Sequence, residues 1–421
     1  MKVEIAYGKS EIGINLPGKA HVDVVEPKNI AGLSNQLQAV AEALKKPVGS
    51  KPLHELVSPS DQVAIIFSDI TRATPYHILL PALLEELRHL PPSRITFYCA
   101  LGTHRPVTEK ELVSILGREI VDHYRVVQND SGDPNRHACA GTTISGNNVM
   151  LDREILQADL RILTGFIEPH FFAGFSGGGK ALMPGMAHVE TIRYNHSISH
   201  LEDPGARWGI TGGNPLWEEI MEAAELAGPV FLLNVTLNRK KEITGIFAGN
   251  LREAHKEGCA FARETAMTRL DEPYDIVLTS NSGYPLDLNV YQSVKGMSAA
   301  ERIVKENGTI IIAAECWDGI PPGSDYETIL TSVQSPRALM EFIKAHEESL
   351  KDTWQVYFQA MIQEKATVYL YSGLDDDTVR KCLLNPVDDM EKLVKHLVDK
   401  KKGDTRICAL PLGPWTIPYL G

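Results

Sequence analysis

The densest chemistry in the chain lies between Ile167 and His196. This stretch holds Glu168, His170, Ser176, the run Gly177, Gly178 and Gly179, and then Lys180. Glycines let a backbone approach a ligand closely. Exposed N–H groups in such a loop suit an anion such as a phosphate. Gly174 to Lys180 also satisfies G-x-x-x-x-G-K, the opening of a phosphate-binding loop. That motif next requires Ser or Thr for magnesium, and a helix behind it. Here Ala181 follows, and Pro184 with Gly185 stops a helix almost at once. A nucleoside triphosphatase is therefore disfavoured.

Histidines are the second signal. His104 follows Gly102 and Thr103, His170 follows Pro169, and His196 follows Asn195. An imidazole with an ordinary pKa of about 6.5 can both take and give a proton near neutral pH. His196 and His200 are one helical turn apart, as a zinc pair would be. No Glu stands between them as in H-E-x-x-H, so a metalloprotease is not expected. A third group is Tyr291, Gln292 and Lys295. On a helix, Gln292 and Lys295 share one face. With Arg72 they would grip a carboxylate, the guanidinium through paired hydrogen bonds and the ammonium as a point charge. The plain alternative for these charges is a solvated helix face.

These side chains need a scaffold, and the sequence suggests one. Short apolar runs alternate with polar loops and helical segments. Residues 63–67 read as a strand, 68–75 as a loop and 76–90 as a helix. Residues 95–99, 101–106 and 109–116 repeat the pattern, and 160–164 begin it again. The first 26 residues read as short strands, and 30–46 as an amphipathic helix. After Pro273 come strands at 276–279, 309–313, 366–370 and 407–411, with a helix inside 289–307. This alternation predicts an α/β protein of two domains, each a mostly parallel sheet flanked by helices. The boundaries drawn from it are 1–270 for an N-terminal catalytic and cofactor domain and 272–404 for a C-terminal α/β domain. Residues 405–421 are a candidate return strand to the first domain. Asp69, Arg72, His104 and His170 all fall just beyond predicted strands, where ligands bind in open α/β sheets.

Composition narrows the partners. The chain has 42 basic and 54 acidic residues, a formal charge of −12. Such a surface repels nucleic acid and anionic lipid. Its six cysteines form no Cys-x-x-Cys pair, so free thiols in a reducing compartment are expected. No apolar run approaches the roughly 18–20 residues of a membrane span, and the N-terminus reads as a strand rather than a leader. A cytoplasmic protein is the expectation.

Five segments in order resemble one known family. They are Ser68 to Pro75, Leu101 to Pro106, Glu168 to Lys180, Asn195-His196 and Tyr291 to Gly296. Together they are similar to the nickel-dependent lactate racemase family of 2-hydroxyacid racemases and epimerases. The resemblance implies two α/β domains with the active site in the cleft between them. It implies a nickel-pincer nucleotide, a pyridinium mononucleotide with sulfur-bearing arms, bound covalently through Lys180 and loaded by maturation proteins. His196 would be the nickel ligand, and His104 and His170 the acid/base pair. Asp69, Gly177, Gly178 and Gly179 would lie against the cofactor. Arg72, Tyr291, Gln292 and Lys295 would hold a small 2-hydroxy acid. The implied reaction is racemisation by proton-coupled hydride transfer through a 2-keto acid. An unactivated C2 hydrogen is hard to remove as a proton, and an electron-deficient pyridinium accepts it as hydride.

Two other readings stay open at this level. One is a cofactor-independent racemase in which His104 and His170 abstract the C2 proton. The other is a nucleotide-binding sensor with no turnover. Lactate, malate, larger aliphatic or aromatic hydroxy acids and sugar acids all carry the carboxylate and 2-hydroxyl that the site would grip. Trp317, in the loop with Pro321 and Pro322, reads either as a wall of the substrate pocket or as packing beneath the loop.

Overall fold

The computed structural model describes residues 1–321, 324–346, 353–401 and 404–421. Pro322 lies outside the described residues. The chain divides into two compact units. One comprises 29–265, and the other joins 1–28 to 266–421.

The 29–265 unit is built on a six-stranded sheet. Its order is Ile243–Gly249, Val230–Leu237, Leu160–Phe166, Val63–Ser68, Ile95–Ala100 and Arg125–Gln128. All pairs are parallel except the Ile243–Gly249 edge. Val63, Ala64, Ile65, Ile66 and Phe67 are all buried, as expected of a parallel strand covered on both faces. Val63, Ile65, Ile66 and Phe67 each contribute roughly 1.5–3 kcal/mol on burial. The helix Glu109–Leu116 starts at a capping box, in which Thr108 and Glu111 satisfy each other's backbone N–H groups. The helix predicted over 30–46 is shorter, Gln36–Lys45. Asn35 caps it by accepting from the Gln38 N–H, while the Leu33 N–H donates to Ile243 O at 2.8 Å. The backbone before Asn35 is thus used for a tertiary contact.

The other unit carries a second six-stranded sheet, all parallel. Its order is Asn385–Pro386, Thr367–Tyr371, Val304–Ala313, Tyr274–Ser280, Arg406–Leu410 and His21–Val24. The division drawn from the sequence near residue 270 therefore needs correction at both ends. Residues 1–28 belong with the C-terminal part of the chain. Arg406–Leu410 does not return to the first domain, because it pairs with Tyr274–Ser280 on one side and His21–Val24 on the other. A central parallel strand needs both ladders, and linear reading could not show which neighbours supply them. Among the described residues no helix is long and apolar enough to cross a membrane. All six cysteines are free thiols, five of them buried.

Candidate active site

In the 29–265 unit, three neighbouring parallel strands end in polar loops. The loop after Val63–Ser68 carries Asp69 and Arg72. The Ser68 N–H donates to the Tyr76 hydroxyl at 2.6 Å, which fixes where the loop leaves the strand. Asp69 is buried, and its Oδ1 accepts from the Thr71 N–H and hydroxyl at 3.1 and 2.5 Å. Its Oδ2 lies 2.6 Å from His104 Nδ1, on the loop after Ile95–Ala100. Burial alone would raise the Asp69 carboxyl. The His104 hydrogen bond and charge, with Thr71 and Arg72, outweigh that and hold it below its ordinary value. The ionised Asp69 makes Nδ1 of His104 the donor and leaves Nε2 as the proton acceptor. Half of the His104 side chain is exposed, so that edge is open to a reactant.

The third loop follows Leu160–Phe166. Pro169 and His170 pair antiparallel with Phe175 and Gly174 in a small hairpin. His170 stacks on Phe171 at 4.9 Å between centroids and meets Phe172 edge-on at 4.6 Å. His170 Nδ1 accepts from the Ala173 N–H at 3.3 Å. Phe172 also meets His196 edge-on at 5.0 Å, and Lys180 Nζ lies 5.7 Å from the same ring. One phenyl ring thus gathers His170, Lys180 and His196. Burial first, then the Arg72 charge, push the Lys180 ammonium from 10.5 down to about 7. Burial first, then the Lys180 charge, push His196 from 6.5 down to about 3. At neutral pH this pair is a partly deprotonated amine beside an uncharged imidazole. His196 ends the helix Val189–Asn195, with Nδ1 3.1 Å from Ile192 O. The neutral tautomer that donates there carries its lone pair on Nε2. His200 has its own backbone partner, with Nδ1 3.0 Å from Asn195 O.

The glycine run behaves differently from an exposed anion cradle. Gly178 and Gly179 are buried, and the Gly178 N–H donates to Asn234 Oδ1 at 2.8 Å. A Cβ on Gly177 would lie 2.4 Å from that same Asn234 oxygen. On Gly178 it would lie 2.8 Å from the His255 ring, and on Gly179 2.8 Å from Ile220 O. These glycines allow the backbone to pack tightly and so set where Lys180 emerges. His255 is buried and lies with Nε2 3.0 Å from Ser176 O. Burial pushes it down to about 4 against the opposing effect of that hydrogen bond.

Arg72 is not bare. Its Nη1 donates to Glu168 Oε1 at 2.9 Å, so a substrate carboxylate would share or displace that partner. Sequence reasoning gave Glu168, Phe172, Asn234 and His255 no role. Only Asn234 left a signal, a polar residue inside the apolar run 230–235. Glu219 was missed too. It is buried and accepts from Asn195 Nδ2 at 2.8 Å and Asn147 Nδ2 at 3.1 Å, which anchors the turn before His196.

Tyr291, Gln292 and Lys295 lie in the other unit, on the helix Val290–Glu301. Asn289 caps it by accepting from the Gln292 N–H at 3.0 Å. Gln292 and Lys295 are partly exposed, while Ser293, Val294 and Gly296 are buried, so the shared face is real. Tyr291 O accepts from Gln355 Nε2 at 2.6 Å. Among the described residues no group of three or more His, Cys, Asp and Glu gathers as a metal site would.

Two α/β units, one with ionisable side chains gathered beyond its strand ends, define an α/β fold of the kind that binds ligands there. Comparison with known proteins makes that class specific. Residues 7–209 match the lactate racemase N-terminal domain, and 270–417 match the lactate racemase C-terminal domain. A lactate racemase of Thermoanaerobacterium thermosaccharolyticum is 36% identical over 417 residues, covering 98% of this chain and 97% of that one. One from Lactiplantibacillus plantarum is 36% identical over 386 residues, 90% of each. The lactate racemase apoprotein structure from T. thermosaccharolyticum superposes with a TM-score of 0.93 at 35% identity, covering 99% of this chain and all of that one. A Thermotoga maritima protein shares the fold, with a TM-score of 0.69 at 19% identity, over 94% of this chain and all of that one. The chain belongs to the lactate racemase family and is an isomerase of the racemase type.

Proposed function

We propose that this enzyme racemises lactate or a related 2-hydroxy acid through a 2-keto acid, with a nickel-pincer nucleotide joined to Lys180. One observation carries the reading: Lys180 and His196, a low-pKa amine and an uncharged imidazole, meet His170 around Phe172. The residues fit the group. An amine near pKa 7 is nucleophilic enough at neutral pH to form a thioamide, and a neutral imidazole with its lone pair on Nε2 is a metal ligand. When bound, such a cofactor supplies an electron-deficient pyridinium carbon that accepts hydride.

The chain's own residues do the remaining work. His104, its Nδ1 anchored on Asp69, takes the hydroxyl proton at Nε2. His170 serves the opposite face of the planar 2-keto acid. Arg72, Tyr291, Gln292 and Lys295 hold the carboxylate. Asp69 is assigned both to His104 and to the nucleotide's surroundings, and Gly177, Gly178 and Gly179 set the backbone beneath Lys180. Loading depends on maturation proteins, and the compartment is the cytoplasm.

The test uses enzyme co-expressed with its maturation proteins. Intact mass should show an adduct that Lys180→Ala removes, nickel should approach one per chain, and Lys180→Ala should cut racemisation by roughly 10³-fold or more. In deuterated water the product should keep its original C2 hydrogen. Deuterium at C2 would instead establish direct proton abstraction by the histidine pair.

A further inference from the structure

The loops after Tyr274–Ser280 and Val304–Ala313 are built more rigidly than surface loops need to be. Asp287, fully buried, accepts at Oδ2 from the Gly8 N–H at 2.7 Å and the Glu315 N–H at 3.1 Å. Its backbone oxygen accepts from the Cys316 N–H at 2.9 Å. One side chain therefore pins three loops together. Ser282 and Cys316 hold left-handed backbones, with φ of 67° and 52°. Such conformations cost about 1–3 kcal/mol and persist only where the surroundings impose them. The 315–319 loop is then tied to the start of the helix that carries Tyr291, Gln292 and Lys295. The Asp318 N–H donates to Leu288 O at 2.8 Å, and the Val290 N–H to Gly319 O at 3.1 Å.

On this rigid base sit exposed aromatic side chains. Trp317 is 56% exposed and Tyr284 51%, with ring centroids 6.4 Å apart. Leu286 is exposed beside them in sequence, and Lys9 Nζ stands 4.8 Å over the Tyr284 ring. Trp317 is thus no packing residue under its loop. Holding two large rings in water on a strained, pinned base is a cost without a structural return.

We infer that Tyr284 and Trp317 form a preformed shelf for the side group of the substrate, and that the enzyme favours a 2-hydroxy acid with an aromatic or extended apolar group over lactate. The inference rests on the racemase reading above, which places the substrate carboxylate on Gln292 and Lys295 of the adjoining helix. A methyl group covers little of two rings, whereas a phenyl group can stack on them. The buried Asp287 lies under the base and Lys9 stands over the Tyr284 ring, so contact with the two rings, not net charge, sets the preference. The shelf therefore selects by apolar contact area.

The test compares kcat/KM of loaded enzyme for 3-phenyllactate, lactate and malate. The phenyl substrate should lead lactate by about 10- to 200-fold, the range that apolar pocket contacts supply. In Trp317→Ala the phenyllactate-to-lactate ratio should fall by about tenfold, mainly through KM, and Trp317→Phe should restore most of it. A lead for lactate or malate, or a ratio unmoved by Trp317→Ala, overturns the shelf. A second readout needs no turnover. Saturation-transfer NMR should show the phenyl protons of 3-phenyllactate contacting the cofactor-free wild-type chain but not Trp317→Ala. If that contact is seen while no hydroxy acid is racemised, the shelf stands and the racemase reading falls. If lactate is racemised but the phenyl contact is absent, the reverse holds.

Discussion

The two units share an architecture and differ in what their strand ends carry. In the 29–265 unit, the loops bury ionisable groups: Lys180 and His196 are pushed far down by desolvation, and Asp69 is held ionised by His104. In the unit of 1–28 and 266–421, Gln292 and Lys295 are partly exposed on a helix and Tyr284 and Trp317 stand in water on the loops. The parallel sheet is common to both, so it cannot be what distinguishes them. The difference lies in local dielectric. Burial shifts the proton affinity of Lys180 and His196, whereas Tyr284 and Trp317 offer exposed surface for contact.

That contrast predicts separable kinetic effects. Asp69→Asn leaves His104 without its carboxylate and should lower kcat about 10²-fold with little change in KM. Lys295→Ala should instead raise KM, with a smaller loss of kcat. Steady-state kinetics of both variants in loaded enzyme decide the matter, and if both move the same parameter the division of labour collapses.

A smaller effect concerns the backbone under Lys180. Gly178→Ala puts a Cβ 2.8 Å from the His255 ring at a φ of +57°, and should cost about 2 kcal/mol of stability. Gly319→Ala in the other unit has the same backbone strain but meets nothing within 4 Å, so its cost should be lower. Thermal unfolding of the two variants measures the gap, and equal losses would show that packing under Lys180 is not tight.

A further test is pH dependence in the cofactor-free chain. Lys180 has its ordinary pKa of 10.5 when unfolded and about 7 when folded. Between those values the unfolded chain binds a proton that the folded chain does not. Stability should therefore rise with pH across that window, by up to about 1.4 kcal/mol per pH unit from this group. Lys180→Met should remove that slope and stabilise the chain most at and below about pH 7. His196 acts in the same sense between about 3 and 6.5, so His196→Gln should flatten the acid side. Denaturant titrations across pH would expose a slope of the wrong sign.

Much of the scaffold was legible in the linear chain. The largely apolar runs at 63–67, 95–99 and 160–164 became central strands, since a parallel strand covered on both faces is mostly apolar, with buried Arg161 as an exception inside the third. Helix starts were less legible, since Asn35 caps a helix that hydrophobic spacing alone extends back to residue 30. Domain membership was illegible at the ends. His21–Val24 and Arg406–Leu410 are neighbours in one sheet although nearly the whole chain separates them.

Residue types and their order determined which groups were available: a lysine after three glycines, histidines after strands, and Tyr291, Gln292 and Lys295 together on one helix. Tertiary structure decided what those groups are. It lowered Lys180 and His196 by enclosing them, paired Asp69 with His104, occupied Arg72 with Glu168, and turned the glycine run into a packing device against Asn234 and His255. It also left Trp317 in water. Burial and partner identity depend on residues far away in sequence, so proton affinity and exposure are properties of the fold.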